Sequence, residues 1–472
     1  MLRKGFFALF VLATACGDGP GAENPTRPKI AQQWLTRAHN SYRAGDVDDA
    51  TAAIDGALKT APRDPEARLL AARIALAKLD YDSTIRLTEQ LPGSDAKALR
   101  GRAFWYAGDI EKAADELEEM LKDPKVKDPW ARDVSKLARR GQGRHPFAIE
   151  GGIVAAVEMP QAGPALVVPC ELEGERILAL VATNFGELMI DSATRKEPAW
   201  VNLRFGERLE VKDVPALTHD LSNVSRQLGA PIKALLGVNV LRHMHVTFDR
   251  RASQFVVRKS DPSAPPDASK MPIFYARGGA MMMRASVSQK DDGNALLFVD
   301  SSAFYPLALD DQILKRSGVG MSSLRPVVQP GAPTNWKEGL LPYFKLGTVD
   351  LPQIPFVQGA NLGEYKNTFD VDLGGVVGAG LLSVFRVTFG EEGRWVWLEL
   401  DPTMMAPAGP PTPEQAPPSG NVPTPPPAAP PASGAPAGPP KPAPVGPPPP
   451  PPASTPGAKA EPPKTESKGA AK

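Results

Sequence analysis

The chain has 472 residues, enough for two or three domains. Its net charge is +1 with acids and bases interspersed, so no basic field is built for nucleic acid and none is expected as a partner. Two cysteines, Cys16 and Cys170, exclude a disulfide framework and any CxxC metal site, and five scattered histidines without an HExxH motif leave no metal or other cofactor to expect.

Residues 1–15, MLRKGFFALFVLATA, carry Arg3 and Lys4, then an apolar run from Gly5 to Leu12, then small residues. This is the layout of a signal peptide, and the run is too short for a permanent membrane span. Cys16 directly after Ala-Thr-Ala resembles the cysteine of a bacterial lipobox, although Leu12 lies four residues before it and Ala13 takes the usual leucine place. The resemblance implies lipidation at Cys16, with several acyl chains holding the protein stably on a membrane. The alternative is a plain signal peptide with an incidental cysteine. Gly17, rather than an aspartate, after Cys16 points to the outer membrane. The expected location is therefore the cell envelope, on the periplasmic face of that membrane. Residues 16–29 form a polar tether containing glycine and proline.

Residues 30–145 are rich in Ala, Leu, Arg and Glu with helical periodicity. Trp34, Ala38, Gly45, Ala50, Ile54, Ala57 and Pro62 keep the spacing of a helix–turn–helix unit, and Gly101, Phe104, Gly108, Ala113, Leu117 and Met120 repeat it. Small residues at Ala38, Ala50, Gly101 and Ala113 allow close helix contact, while Gly45 and Gly108 end the first helix of each unit. A shorter, degenerate unit lies between them around Ala72, Tyr81 and Thr84, and DPWARDVSKLARRG caps the stack. The pattern resembles tetratricopeptide repeats, which implies a helical solenoid binding a protein or peptide. A rigid spacer without a ligand is the alternative.

Residues 150–400 hold Val, Leu and Phe in short runs broken by Gly and Pro, which reads as mostly β. Two stretches repeat. ALLGVNVLRHMHVTFD and GVVGAGLLSVFRVTFG place Leu241 and Val246-Thr247-Phe248 after Gly237 as they place Leu382 and Val387-Thr388-Phe389 after Gly378. LRFGERLEVKDVP and FKLGTVDLPQIP match upstream. The expected lobes are 150–258 and 271–401, joined by the linker 259–270. In HMH, His243 and His245 are spaced to share one face of a strand. Cys170 reads as a small buried hydrophobe at an inward strand position.

The order hairpin, corner, apolar-apolar-Gly and φTφD resembles the retropepsin-like aspartic peptidases. Leu235-Leu236-Gly237 and Val376-Val377-Gly378 match the segment crossing behind the catalytic corner. The resemblance implies a bilobal fold with one Asp-Thr/Ser-Gly corner per lobe, whose two carboxylates share a proton and a water. In the second lobe, Phe298-Val299-Asp300-Ser301-Ser302 fits, with Ser302 in place of glycine. Asp300 is then the candidate catalytic acid and Ser301 the brace. In the first lobe the corner falls on Ala182-Thr183-Asn184, eight residues after the hairpin glycine Gly174, and the carboxylate is missing. A rival register puts Asp191-Ser192-Ala193 there.

Three functions follow. The favoured one is a non-catalytic peptidase-like module. The second is an active aspartic endopeptidase using Asp300 with Asp191, or with a second Asp300 in a homodimer. The third is a structural adaptor. Asp300 also has a plain reading, a strand-end residue bonding its own turn. Residues 402–472 hold 27 of the chain's 53 prolines and read as a disordered tail. The expected fold class is thus multidomain α + β: a helical repeat solenoid, a mostly-β bilobal region and a proline-rich tail.

Overall fold

The computed structural model describes residues 27–290, 294–328 and 333–400. The expected signal peptide, Cys16 and the proline-rich tail lie outside the described residues, and the tether enters them only at residue 27. No helix among the described residues is long and apolar enough to cross a membrane.

The N-terminal part forms seven helices: α1 (Lys29–Arg43), α2 (Val47–Thr60), α3 (Pro65–Ala77), α4 (Tyr81–Thr88), α5 (Ser94–Ala107), α6 (Ile110–Leu121) and α7 (Pro129–Arg139). Each packs on the next. Five of them start in the same way. The carboxylates of Asp46, Asp64, Asp80, Asp109 and Asp128 accept a hydrogen bond from the amide three residues on, satisfying one free donor of the first turn. Gly45 and Gly108 adopt left-handed backbone, φ +74° and +82°, where the chain reverses. A side chain at Gly101 would run into Leu117 of α6, so glycine there sets how closely α5 and α6 approach. α4 is the shortest of the seven, 8 residues.

The β region repeats its topology. In the first lobe, strand Glu175–Val181 runs parallel to Ile232–Leu236, with Val181 beside Leu236. In the second, Asn294–Asp300 runs parallel to Leu373–Gly378, with Val299 beside Val377 and Asp300 beside Gly378. On its other side the crossing segment meets an antiparallel strand, Leu188–Asp191 in the first lobe and Leu307–Leu309 in the second. The hairpins Ala199–Phe205/Leu209–His219 and Lys337–Leu346/Val349–Gln358 also correspond. The lobes differ before these hairpins. Residues 192–198 make a short connection in one lobe. Residues 310–336 include a helix, a 3-10 turn and the strand Arg325–Pro326 in the other.

Three features depart from the sequence expectations. A six-stranded sheet joins the lobes, in the order Ser269–Pro272, Trp395–Leu400, Phe385–Gly390, Thr247–Asp249, Gln254–Arg258, Val154–Glu158. At its centre Thr247 and Thr388 pair, their hydroxyls 2.8 Å apart. The linker 259–270 therefore ends inside a strand, because Ser269–Pro272 closes one edge of that sheet. His243 and His245 share no strand: His243 ends the helix Val238–His243, and His245 follows with φ +44°. That helix is buried through Val238, Val240 and Leu241, with Arg242 buried beside them and bonded to Asn239 and Tyr81, and this helical packing overrides the alternation.

The helices and both lobes belong to one unit. α1 to α3 lie on the second lobe. Their side chains share a buried cluster with Phe274, Met282, Leu296, Phe298 and Leu373. Ion pairs Arg43–Asp372 (2.8 Å) and Arg284–Asp46 (2.9 Å) flank it. α5 to α7 lie on the first lobe, with Trp105, Ala114 and Leu137 clustered on Val167, Leu180 and Ala182. Trp200 Nε1 donates to the Leu137 carbonyl at 2.9 Å.

Candidate functional site

The two corners meet where the parallel strands of the lobes end. Thr183 follows Ala182, and Ser301 follows Asp300. The Thr183 hydroxyl donates to the Val299 carbonyl (2.8 Å), and the Ser301 hydroxyl donates to the Val181 carbonyl (2.8 Å). In return, the Ser301 amide donates to Thr183 Oγ1 and the Thr183 amide to Ser301 Oγ, both at 3.0 Å. Each hydroxyl thus reaches across to the other lobe's strand, and the four bonds are related by a local twofold. Both residues are buried, Thr183 at 1% and Ser301 at 0% exposure.

This exchange pairs the positions. Thr183 is the counterpart of Ser301, so Ala182 is the counterpart of Asp300. Strand register says the same, since the Ala182 amide donates to the Leu236 carbonyl one step before Gly237, as Asp300 lies beside Gly378. Ala182 is fully buried. At the axis one lobe presents a carboxylate and the other a methyl group.

Asp300 Oδ1 accepts from the Ser302 amide (2.9 Å) and the Ser302 hydroxyl (2.6 Å). Ser302, where glycine was expected, therefore serves Asp300 and closes its turn. Burial pushes the Asp300 carboxyl above the ordinary carboxylate range, against the pull of these donors. Phenols gather nearby. Burial, and then the charge of Asp300, raise Tyr305 and Tyr365. Tyr305 meets Trp336 edge-on at 5.6 Å, and Tyr365 meets Phe298 at 5.1 Å.

Asp191 stands elsewhere. Met189 lies beside Leu235 as Ala308 lies beside Val376, so Asp191 is the counterpart of Asp310, not of Asp300. It bonds the Ala193 amide and lies 3.4 Å from Lys233 Nζ. Asp310 likewise pairs with a lysine, Lys366, and in addition caps a helix. The rival register fails because the hydroxyl exchange locks the first corner at residue 183. The place opposite Ser301 is filled by this chain's own Thr183.

The apolar-apolar-Gly segments pack as a pair. A Cβ on Gly237 would land on the Glu187 carbonyl oxygen, and one on Gly378 on the Tyr305 carbonyl oxygen. Close backbone approach behind each corner thus requires glycine in both lobes. Cys170 sits buried in Val167–Leu172, and burial pushes its thiol up to about 12, leaving it protonated and inert. Sequence reasoning overlooked Tyr106 and Glu187. The α5 phenol donates to the buried Glu187 carboxylate at 3.2 Å, tying the helices to the loop after the first corner. An acid between Gly186 and Leu188 is the one signal, and nothing in the sequence marks its partner.

No protein-family model matches the chain, and no curated protein sequence does. Among solved structures it is similar to a retropepsin-like aspartic protease from Rickettsia conorii, with 17% identity over 28% of this chain and 90% of that one, TM-score 0.21. It is also similar to Basic 7S globulin from soybean, with 10% identity over 54% of this chain and 95% of that one, TM-score 0.37. Both likenesses are distant.

Proposed function

We propose that the two lobes form a non-catalytic aspartic-peptidase-like module in a cell-envelope lipoprotein, anchored through Cys16 to the periplasmic face of the outer membrane. In this reading the helices are tetratricopeptide-like repeats that bind a protein or peptide. Capped helices reversing at left-handed glycines support the repeat reading. One observation carries the lack of catalysis: Ala182 occupies the counterpart position of Asp300. Aspartic catalysis needs one carboxylate as base toward water and a second to share the proton. A methyl group does neither. Asp300, bonded to Ser302, acts as a strand-end residue of its own turn.

The docking of the helices over both lobes favours a second reading, a structural adaptor in which the lobes hold the helices in place. The two readings share one test. The full chain, incubated with an unfolded polypeptide from about pH 3 to 7, is expected to leave it intact. Cleavage that a statine-type mimic inhibits and Asp300→Asn abolishes would overturn both.

A further inference from the structure

The six-stranded sheet that joins the lobes has two edge strands, and the sequence treats them differently. One edge, Ser269–Pro272, carries Lys270 and ends on Pro272, which has no N–H to offer. Lysine and proline are common guards against edge-to-edge pairing. The other edge, Val154–Glu158, pairs only with Gln254–Arg258 among the described residues. It reads VAAVE, with neither guard.

Hydrogen bonds show which of its backbone groups are open. The Met159 amide donates to the Ser253 carbonyl, and the Lys259 amide donates to the Ile153 carbonyl. In an antiparallel ladder every second residue bonds the same neighbour, so Ala155 and Val157 also face Gln254–Arg258. The N–H and C=O groups of Val154, Ala156 and Glu158 therefore point the other way, and no strand among the described residues lies there. The side chains of these three residues are exposed too. Ile153 and Val154 are 75% and 58% exposed, high for large apolar side chains.

We propose that Val154–Glu158 is a homodimer contact, in which a second copy of this chain adds the same strand, antiparallel, about a twofold at Ala156. This register sets Ala156 opposite itself and Val154 opposite Glu158 of the second copy. All three outward residues then exchange both backbone bonds, and the two six-stranded sheets become one. Charge favours the same register. Glu158 is exposed and in no ion pair among the described residues. Arg258, beside Val154 on the neighbouring strand, bonds only the His245 carbonyl and the Thr247 hydroxyl among them. Directly paired residues share one face of a sheet. Glu158 of the second copy therefore joins the row of Arg258, with only Val154 between the two charges, and the twofold makes this pairing twice. A twofold at Glu158 would set two carboxylates together, and one at Val154 would set Glu158 against Glu150. The contact uses none of the corner residues and stands or falls independently of the reading above. A strand pair buries little surface, so association should be weak and concentration-dependent.

The test is made on the full chain. In sedimentation the parent should pass from monomer to dimer as its concentration rises toward about 0.1 mM, a range that weak association reaches. Under mild oxidation Ala156→Cys should form a disulfide-linked dimer, because hydrogen-bonded partners lie about 5.5 Å apart at Cα. Glu158→Cys should not, because its two copies sit about 14 Å apart along the strands. Val154→Cys and Glu158→Cys combined in one chain should link. The parent, whose thiols are Cys16 and the buried Cys170, is the blank. Ala156→Pro removes an outward N–H and no bond to Gln254–Arg258, so it should keep the fold and raise the dissociation constant about tenfold or more. Glu158→Lys changes an exposed side chain and gives a second readout should the proline unsettle the strand. It brings a cation beside Arg258 and should also weaken the dimer. The proposal falls if the parent is a monomer at every concentration, which would leave the edge to a strand of another protein. It also falls if Ala156→Cys links no faster than Glu158→Cys, or if Glu158→Lys dimerises like the parent.

Discussion

At the scale of single residues, the molecule depends on two hydroxyls. Thr183 Oγ1 both donates to the Val299 carbonyl and accepts from the Ser301 amide. Thr183→Val keeps the shape but leaves that buried amide and carbonyl unpaired, so it should cost about 2–3 kcal/mol in urea unfolding. Thr183→Ser should recover most of the loss, and equal losses in the two variants would count against the hydrogen bonds. Asp300 pulls the other way. Its folded carboxyl titrates above the unfolded value, so the folded state holds the proton more tightly. The stability this contributes is fully present below the unfolded pKa and is lost as pH rises through the folded one. Asp300→Asn keeps an oxygen for Ser302 and removes the charge. It should therefore raise the melting temperature at pH 7, with the gap closing as pH falls toward about 4. A variant less stable than the parent at pH 7 would mean that the carboxylate has a stabilising partner.

At the scale of elements, the helices are set by their caps. Among the described residues Asp80 accepts only from the Ser83 amide, so Asp80→Ala should cost about 1 kcal/mol. Asp128 does more. It caps α7, and its other oxygen holds Arg102 at 2.9 Å, while Arg102 lies 3.8 Å from the Trp130 ring centre. Asp128→Ala strands a largely buried guanidinium and should cost about 3 kcal/mol. Chemical unfolding of the two variants side by side checks the ranking. Equal costs would show that the Arg102 pair adds nothing beyond the cap. In the lobes, the corresponding elements are the crossing segments, where glycine is demanded twice by a carbonyl behind each corner.

At the scale of the whole molecule, helices and lobes bury each other. Leu296, Phe298 and Met282 of the second lobe, and Leu180 and Ala182 of the first, share clusters with the helices. Removing residues 27–145 would expose these apolar faces and strand Glu187 without Tyr106. The remaining lobes should aggregate, or bind a hydrophobic dye, where the intact chain does not. A soluble, monomeric fragment 148–400 with the parent's melting temperature would show instead that the lobes stand alone.

Much of this was readable from sequence because it is local. The reversing glycines and the small residues between helices act within a few positions. The repeat of Gly237 and Gly378, each with its Val-Thr-Phe, exposed the internal duplication. The first corner was placed from the distance between Gly174 and Ala182. Other features were decided only when distant segments met. The sheet joining the lobes pairs Thr247 with Thr388, and neither strand carries a local sign of the other. The place of Asp191 depended on which strand lay beside which, since its own neighbours, LMID, look as much like a corner as Phe298-Val299-Asp300 does. Sequence determines what each segment can become, because backbone and side-chain preferences act at short range. Which carboxylate finds a partner and which finds a methyl group is a matter of long-range packing, and the folded chain alone decides it.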